Sequence, residues 1–180
     1  TVPTPDPSPD AIGQAMAGVV MKALPDLKPA AAPSLAARSV RIPAPLQEFT
    51  EEDVARAEDI IHYRITATPD FYVSVHAWKI LNTRNLAARD GANLQMEVQG
   101  FRLDQDTALV TLPHEIFVEL GMAIKKQSPF ARTLVISMAN DLDFYVPTRQ
   151  AFAEGSYEVE TSSVKLGGGE SLVAGAVKML

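Results

Sequence analysis

The stretch Thr107-Ala-Leu-Val-Thr-Leu-Pro-His-Glu-Ile-Phe-Val-Glu-Leu-Gly121 decides the fold, together with Leu134-Val-Ile-Ser-Met-Ala-Asn-Asp-Leu-Asp-Phe-Tyr-Val-Pro-Thr148. It reads as strand, tight turn, helix, strand and loop. Thr107 to Leu112 is an apolar strand that Pro113 ends. Ile116, Phe117, Leu120 and Ile124 recur at helical spacing, so a helix is expected over Ile116–Lys126, with Ser128-Pro129 closing it. Leu134 to Met138 is short and nearly all apolar, which predicts a central strand covered on both faces. Glu115 and Tyr145 each stand just past the end of one of these strands. Open α/β sheets place ligand-binding groups at such positions.

Upstream, Leu94, Met96 and Val98 alternate with Gln95, Glu97 and Gln99 in a half-buried strand. The apolar phase shifts at Gly100 toward Phe101 and Leu103, which predicts a β-bulge. Asp104-Gln105-Asp106 turns this strand into Thr107–Leu112 as a hairpin. A helix is expected from Thr50, a capping hydroxyl followed by three acids, with Val54, Ala57, Ile60 and Ile61 inward. It frays between His62 and Thr68. A second helix runs from Pro69-Asp70 to Arg89 with Val73, Ala77, Ile80 and Leu81 inward, and Asp90-Gly91 stops it.

The beginning of the chain is read as a proline-rich tail or cut linker, residues 1–9, with Pro at every second position from Pro3. Asp10 is expected to cap a helix over Ala11–Leu24, with Ile12, Met16, Val19, Val20 and Leu24 on one face and Pro25 ending it. After a Pro/Ala connector, Lys28–Pro33, a strand is expected over Ser34–Ile42, closed by Pro43 and Pro45. Toward the other end, Thr148 caps a short helix to Phe152, and Tyr157–Val164 reads as an edge strand. Gly167-Gly168-Gly169 reads as a flexible lead into a last helix with Leu172, Val173, Ala176 and Leu180 inward. No internal repeat is visible. Helices and strands mix throughout, so the fold class is α/β or α+β: a layered mixed sheet with helices packed on it, residues 10–180 forming one domain and part of a larger catalytic domain.

With 180 residues, 47% apolar and 21% charged, the chain has the composition of a globular protein with a real core. A net charge of −6 argues against a nucleic-acid partner. The basic pair Lys125-Lys126 answers a helix dipole. No cysteine is present, which excludes disulfides, thiolate nucleophiles and cysteine metal sites. No apolar run approaches the ~18 residues of a membrane span, and no leader segment is visible. The compartment stays open. Thr1 in place of Met reads as an N-terminus trimmed upstream.

His114 neighbours Glu115, but adjacent side chains diverge, and the zinc-peptidase pattern His-Glu-x-x-His is not formed. The other two histidines, His62 and His76, each read as surface or hydrogen-bonded structural histidines. Glu115 is either a site carboxylate or a structural acid favoured by a helix dipole. Tyr145, after the acidic loop Asp141-Leu142-Asp143, is either an oxyanion donor or metal ligand, or a packing residue with a satisfied hydroxyl. Glu170 after the glycine triplet has the wrong charge for a phosphate loop, and no Ser-His-Asp triad can be assigned.

Residues 107–180 resemble the C-terminal part of the catalytic region of the neutral/alkaline (non-lysosomal) ceramidase family, especially its bacterial members. Leu112-Pro113-x-Glu115-x-Phe117-Val118-Glu119-Leu120-Gly121 is similar to the family's Leu-Pro-Gly-Glu segment and its helix. Ile124-Lys125-Lys126-x-Ser128-Pro129-Phe130 follows. Asn140, then Tyr145-Val146-Pro147-Thr148-Arg149-x-Ala151-Phe152, is similar to the family's Asn-x-x-x-x-Tyr-x-x-Thr segment, and Glu154-Gly155-x-Tyr157-Glu158-Val159 completes the match. Residues 10–106 match loosely, in Lys22-Ala23-Leu24 and Ala31-Ala32-Pro33-Ser34-Leu35.

The resemblance implies a zinc-dependent amide hydrolase that cleaves ceramide to sphingosine and a fatty acid. It implies zinc held by two His, one Glu and one Tyr, with Glu115 and Tyr145 as two of the ligands and Tyr145 also catalytic. The family's two His ligands, its Arg and its Ser find no counterpart in residues 1–106. His114 replaces a small residue beside the zinc-binding Glu, and Leu142 stands where many members have a second Tyr. The resulting expectation is one part of a longer hydrolase, inactive alone. Its partners would be the upstream part of the same protein and an N-acyl lipid or other amide substrate. A non-catalytic interaction or ligand-binding domain with the same fold is the alternative. An exposed apolar face would drive homo-oligomerisation.

Overall fold

Strand β2, Asn93–Arg102, is the backbone of the sheet because its alternation leaves one side, at Leu94, Met96, Val98 and Gly100, buried. The computed structural model describes residues 8–29, 33–63 and 70–180. They fall into two compact units, one ending at Ala32 and one spanning Pro33–Leu180. In the first, helix α1, Pro9–Ala23, is capped by Ser8, whose hydroxyl accepts the Ala11 N–H, and not by Asp10. Starting one residue after Ser8 puts Pro9 at the first helical position, where its missing N–H costs nothing. A 3-10 turn, Leu24–Asp26, follows. None of the helix's residues is buried, so Ile12, Met16, Val19 and Val20 form an exposed stripe.

The second unit is built on a four-stranded mixed sheet in the order β1-β2-β3-β5, with β1 Ala36–Pro45, β3 Thr107–Thr111 and β5 Arg132–Ile136. β1–β2 and β2–β3 are antiparallel, as the hairpin pattern predicts, while β3–β5 is parallel. The fold class expected from the sequence is therefore the one observed: a mixed sheet with helices packed on it.

Several local expectations are corrected. Pro43 and Pro45 lie inside β1 instead of closing it. β1 is an edge strand, and both prolines occupy exposed alternate positions where no ladder N–H is required. No bulge forms at Gly100. The register runs without interruption from Ala36↔Arg102 to Pro45↔Asn93. Gly100 instead makes room for the last helix, since a Cβ there would lie 2.6 Å from Met179 Cε. The phase shift at Phe101 sends that ring to the opposite face, in a row with Ala37, Leu109 and Leu134. β5 is the other edge of the sheet and is not covered on both faces, leaving Leu134 and Ile136 about half exposed. Sheet position, which run composition cannot encode, decides this.

Helices α4, Val118–Gln127, and α7, Gly168–Met179, cover the buried face. Leu120, Ile124, Leu172, Val173 and Ala176 pack there against Met96, Val98, Val110 and Leu112. Helices α2, Glu51–Tyr63, and α3, Phe71–Asp90, form a second small core from Val54, Ala57, Ala77 and Ile80. The start of α2 is a reciprocal cap: Thr50 Oγ1 accepts the Asp53 N–H and Asp53 accepts the Thr50 N–H. α3 starts at Asp70, whose carboxylate accepts from Tyr72 N and Val73 N. Val73 is exposed, not inward, while Ser74, Thr83 and Leu86 join Ala77 and Ile80 on the buried side. The fraying expected after His62 falls mainly outside the described residues.

Tyr157–Val164 is not a strand. Tyr157–Glu160 forms one helical turn, α6, and Val164 makes an isolated antiparallel bridge to Leu46. The expected short helix after Thr148 is present as α5, Arg149–Glu154, capped by the Thr148 hydroxyl. The glycine triplet is a packing device and not a flexible lead. Gly167 takes φ +89, and a Cβ on Gly169 would lie 2.6 Å from Leu120 Cδ1 and 2.8 Å from the Pro147 carbonyl oxygen. Leu120 can shift, but the backbone carbonyl cannot. Gly169→Ala is expected to destabilise the fold by about 1–3 kcal/mol through overpacking, read as a lower urea midpoint at unchanged m-value. Among the described residues, no helix is long and apolar enough to cross a membrane.

Candidate functional site

The helix expected over Ile116–Lys126 begins later, at Val118, because Glu115–Ile116 is drawn into a two-residue strand, β4. β4 pairs in parallel with β6, Tyr145–Val146, and the register places Glu115 beside Tyr145. Backbone bonds hold this pairing: Glu115 N donates to Phe144 O at 3.1 Å and Phe117 N to Val146 O at 3.3 Å. Glu115 is thus on a strand instead of in the first turn of a helix, and the helix-dipole reading of its role does not apply.

Both side chains are half-buried and line one cleft of ≈ 540 Å³ with Met138, Glu119, Glu154, Ser156 and Glu158. Interaction of the phenol with the adjacent Glu115 carboxylate is the main cause holding the Tyr145 pKa above the ordinary tyrosine value. Burial and the negative charge of Glu115 act in the same direction. Tyr145 also meets Tyr157 edge-on at 6.2 Å, and Tyr157 stacks on Phe71 at 5.9 Å. The sequence alone singles out neither lining acid, Glu154 on α5 or Glu158 on α6, and at Glu158 it reads as a strand.

His114 does not crowd Glu115. Its side chain turns into the interior, 1% exposed, and stacks on Phe144 at 4.1 Å. Its backbone has φ +60, uncommon for a residue with a Cβ. Asp143 N approaches Nδ1 at 3.3 Å. Burial is the main cause lowering its pKa, against the opposing charges of Asp141 and Asp143. A chain unfolded below pH about 6.5 takes up the proton that the folded ring resists. Stability from this group is complete above that pH and is lost as pH falls toward the lowered folded value. Urea unfolding from pH 7.5 to 5 is expected to show a shallower loss in His114→Asn than in wild type, and equal slopes would refute the assignment. Asn tolerates the positive φ.

His76 is exposed, and its Nδ1 lies 2.9 Å from Glu160 of α6. The carboxylate partner absent at helical spacing arrives from a distant turn. The same Glu160 oxygen lies 3.6 Å from the Nζ of Lys79, whose pKa burial lowers. His62 is exposed on α2. Among the described residues, the sole close group of three metal-ligating side chains is His114, Asp141 and Asp143. The sequence showed the acidic loop and His114 separately, without the fold that joins them.

Catalytic zinc generally takes three protein ligands. The Glu115–Tyr145 pair supplies two oxygen donors, and none of the three histidines joins them. The residues present fit two of the three positions of such a site.

No protein-family model matches the sequence, and no curated protein matches it. Among solved structures, the chain is similar to the crystal structure of neutral ceramidase from Pseudomonas aeruginosa. The two are 16% identical with a TM-score of 0.50, over 81% of this chain and 28% of that one. The second unit thus has a ceramidase-like mixed α/β fold, and the chain spans little more than a quarter of the length of the structure it matches.

Proposed function

We propose that this chain is one wall of the active site of a zinc-dependent amide hydrolase acting on an N-acyl lipid or related amide. The remaining donors come from an upstream part of the same protein. The observation that carries the reading is the side-by-side placement of Glu115 and Tyr145 over one cleft by β4–β6 pairing. The likeness to neutral ceramidase supports the chemistry.

When bound, zinc supplies a polarised amide carbonyl and a water of lowered pKa. Glu115 would contribute a carboxylate oxygen and Tyr145 its phenol oxygen. Engagement of the phenol oxygen would require release of its proton. The raised Tyr145 pKa keeps that proton in place in the metal-free state. Tyr157 buttresses the Tyr145 ring from the side.

Zinc titration tests this reading. The 180-residue chain is expected to bind zinc weakly at this cleft. The chain joined to its upstream part is expected to bind one equivalent tightly, with a proton released, and to lose it in Glu115→Gln. Tight zinc retained in Glu115→Gln would overturn the assignment. The open row Ala37, Phe101, Leu109 and Leu134 favours the second reading, an interaction domain that keeps the fold. Under that reading Glu115→Gln changes nothing.

A further inference from the structure

We propose that His114, Asp141 and Asp143 form a second divalent-cation site, distinct from the Glu115–Tyr145 pair. One ring nitrogen and one oxygen from each carboxylate lie within 4.8 Å of one another, close enough for a single ion to reach all three. The inference uses neither residue of the proposed zinc pair and stands without the hydrolase reading.

The imidazole is the fixed member. At 1% exposure and stacked on Phe144, it cannot swing away to solvent. Among the described residues its one hydrogen bond comes from Asp143 N to Nδ1 at 3.3 Å, beyond the usual range for such bonds. The ring's lone pair therefore faces the loop that carries both acids, and a weak contact is all a metal bond would displace. The acids are the adaptable members. Asp141 accepts the Leu142 N–H through one oxygen only, and Asp143 is exposed. Two carboxylates so close repel each other. Arg89 is the nearby cation acting on both, but its Nε and a terminal nitrogen already bond Asp90 at 3.0 and 2.8 Å.

One imidazole with two carboxylates suits a borderline ion of the Mn²⁺ to Zn²⁺ class. Ca²⁺ would require six to eight oxygens. The site also has a structural consequence. His114 immediately precedes Glu115, and Asp141 and Asp143 lead into Tyr145, so one ion would clamp together the two loops that enter β4 and β6. The His114 N–H to Asp141 carbonyl bond, 2.8 Å, already runs in the same direction.

Titration of the 180-residue chain with Mn²⁺ alone, followed by electron paramagnetic resonance, tests the proposal. Wild type is expected to show one saturable site with a nitrogen coupling to the bound ion. Asp143→Asn and Asp141→Asn are expected to lose it, and Glu115→Gln to keep it, with circular dichroism showing that each variant is folded. Asp143 is exposed, so its replacement leaves the core intact. Absence of a saturable site in wild type, absence of the nitrogen coupling, or a site that survives Asp143→Asn would each overturn the proposal. Loss in Glu115→Gln with retention in Asp143→Asn would do the same, assigning the ion to the other cleft.

Discussion

Tyr145→Phe is expected to lower amide hydrolysis by the chain joined to its upstream part on the order of 10²–10³-fold, with little change in stability. A phenol aimed at a developing oxyanion, or at a metal, contributes about that factor when removed. The substitution is well suited to the question because the ring stays. Its edge contact with Tyr157 needs no hydroxyl, and its neighbours in β4 are held by backbone bonds. Replacement of a half-exposed group away from the core typically changes stability by no more than about 0.5 kcal/mol. Steady-state kinetics with a fluorogenic N-acyl amide, set beside a urea melt, separate the two effects. Unchanged turnover would remove Tyr145 from the chemistry. A large stability loss would mean that the phenol's role is structural.

Leu112→Ala is expected to destabilise the second unit by about 2–5 kcal/mol, the range for a fully buried leucine whose cavity cannot collapse. Leu112 is 0% exposed and lies among the residues between the sheet and helices α4 and α7. Its backbone is also held: its N–H donates to Ile136 O at 2.8 Å and its carbonyl accepts from Ala139 N at 3.0 Å. These bonds resist the collapse that would soften the loss. They also place Leu112 at the root of the segment leading to Glu115, so partial loosening there would reach the β4–β6 pair. Urea unfolding by circular dichroism reads the effect directly, and a loss below about 1 kcal/mol would show that the core there is loosely packed.

Position along the chain explains which elements could be read in advance. β2, α2 and α3 were legible because each carries its own signals. In β2 an apolar residue falls on every second position. In α2 Thr50 and Asp53 cap each other, and in α3 Asp70 caps the start and Gly91 the end. These are short-range interactions, closed within a few residues. β5 misled because an all-apolar run fits both a covered central strand and an edge strand with one open face. Only its pairing with β3 alone decides between them. Tyr157–Val164 misled because α6 is fixed by Glu160, which His76 and Lys79 hold from α3. Gly100 mimicked a bulge, yet the reason for glycine there is Met179, far along the chain.

The candidate site divides the same way. Glu115 and Tyr145 stood out in the sequence as polar groups at the ends of apolar strands, and the family resemblance gave them a role. That they are register partners, and that Glu154 and Glu158 share their cleft, follow from a parallel pairing across some thirty intervening residues. The grouping of His114 with Asp141 and Asp143 follows from the same pairing. The sequence by itself determined the fold class, the caps of α2 and α3 and the central hairpin, because local periodicity and capping are written in neighbouring residues, while the two residues on which the proposed chemistry rests were singled out by the family resemblance. Which strand is an edge, which glycine admits a neighbour, and which acids meet which histidine were decided by the tertiary structure alone, because those contacts exist only once distant segments have been brought together.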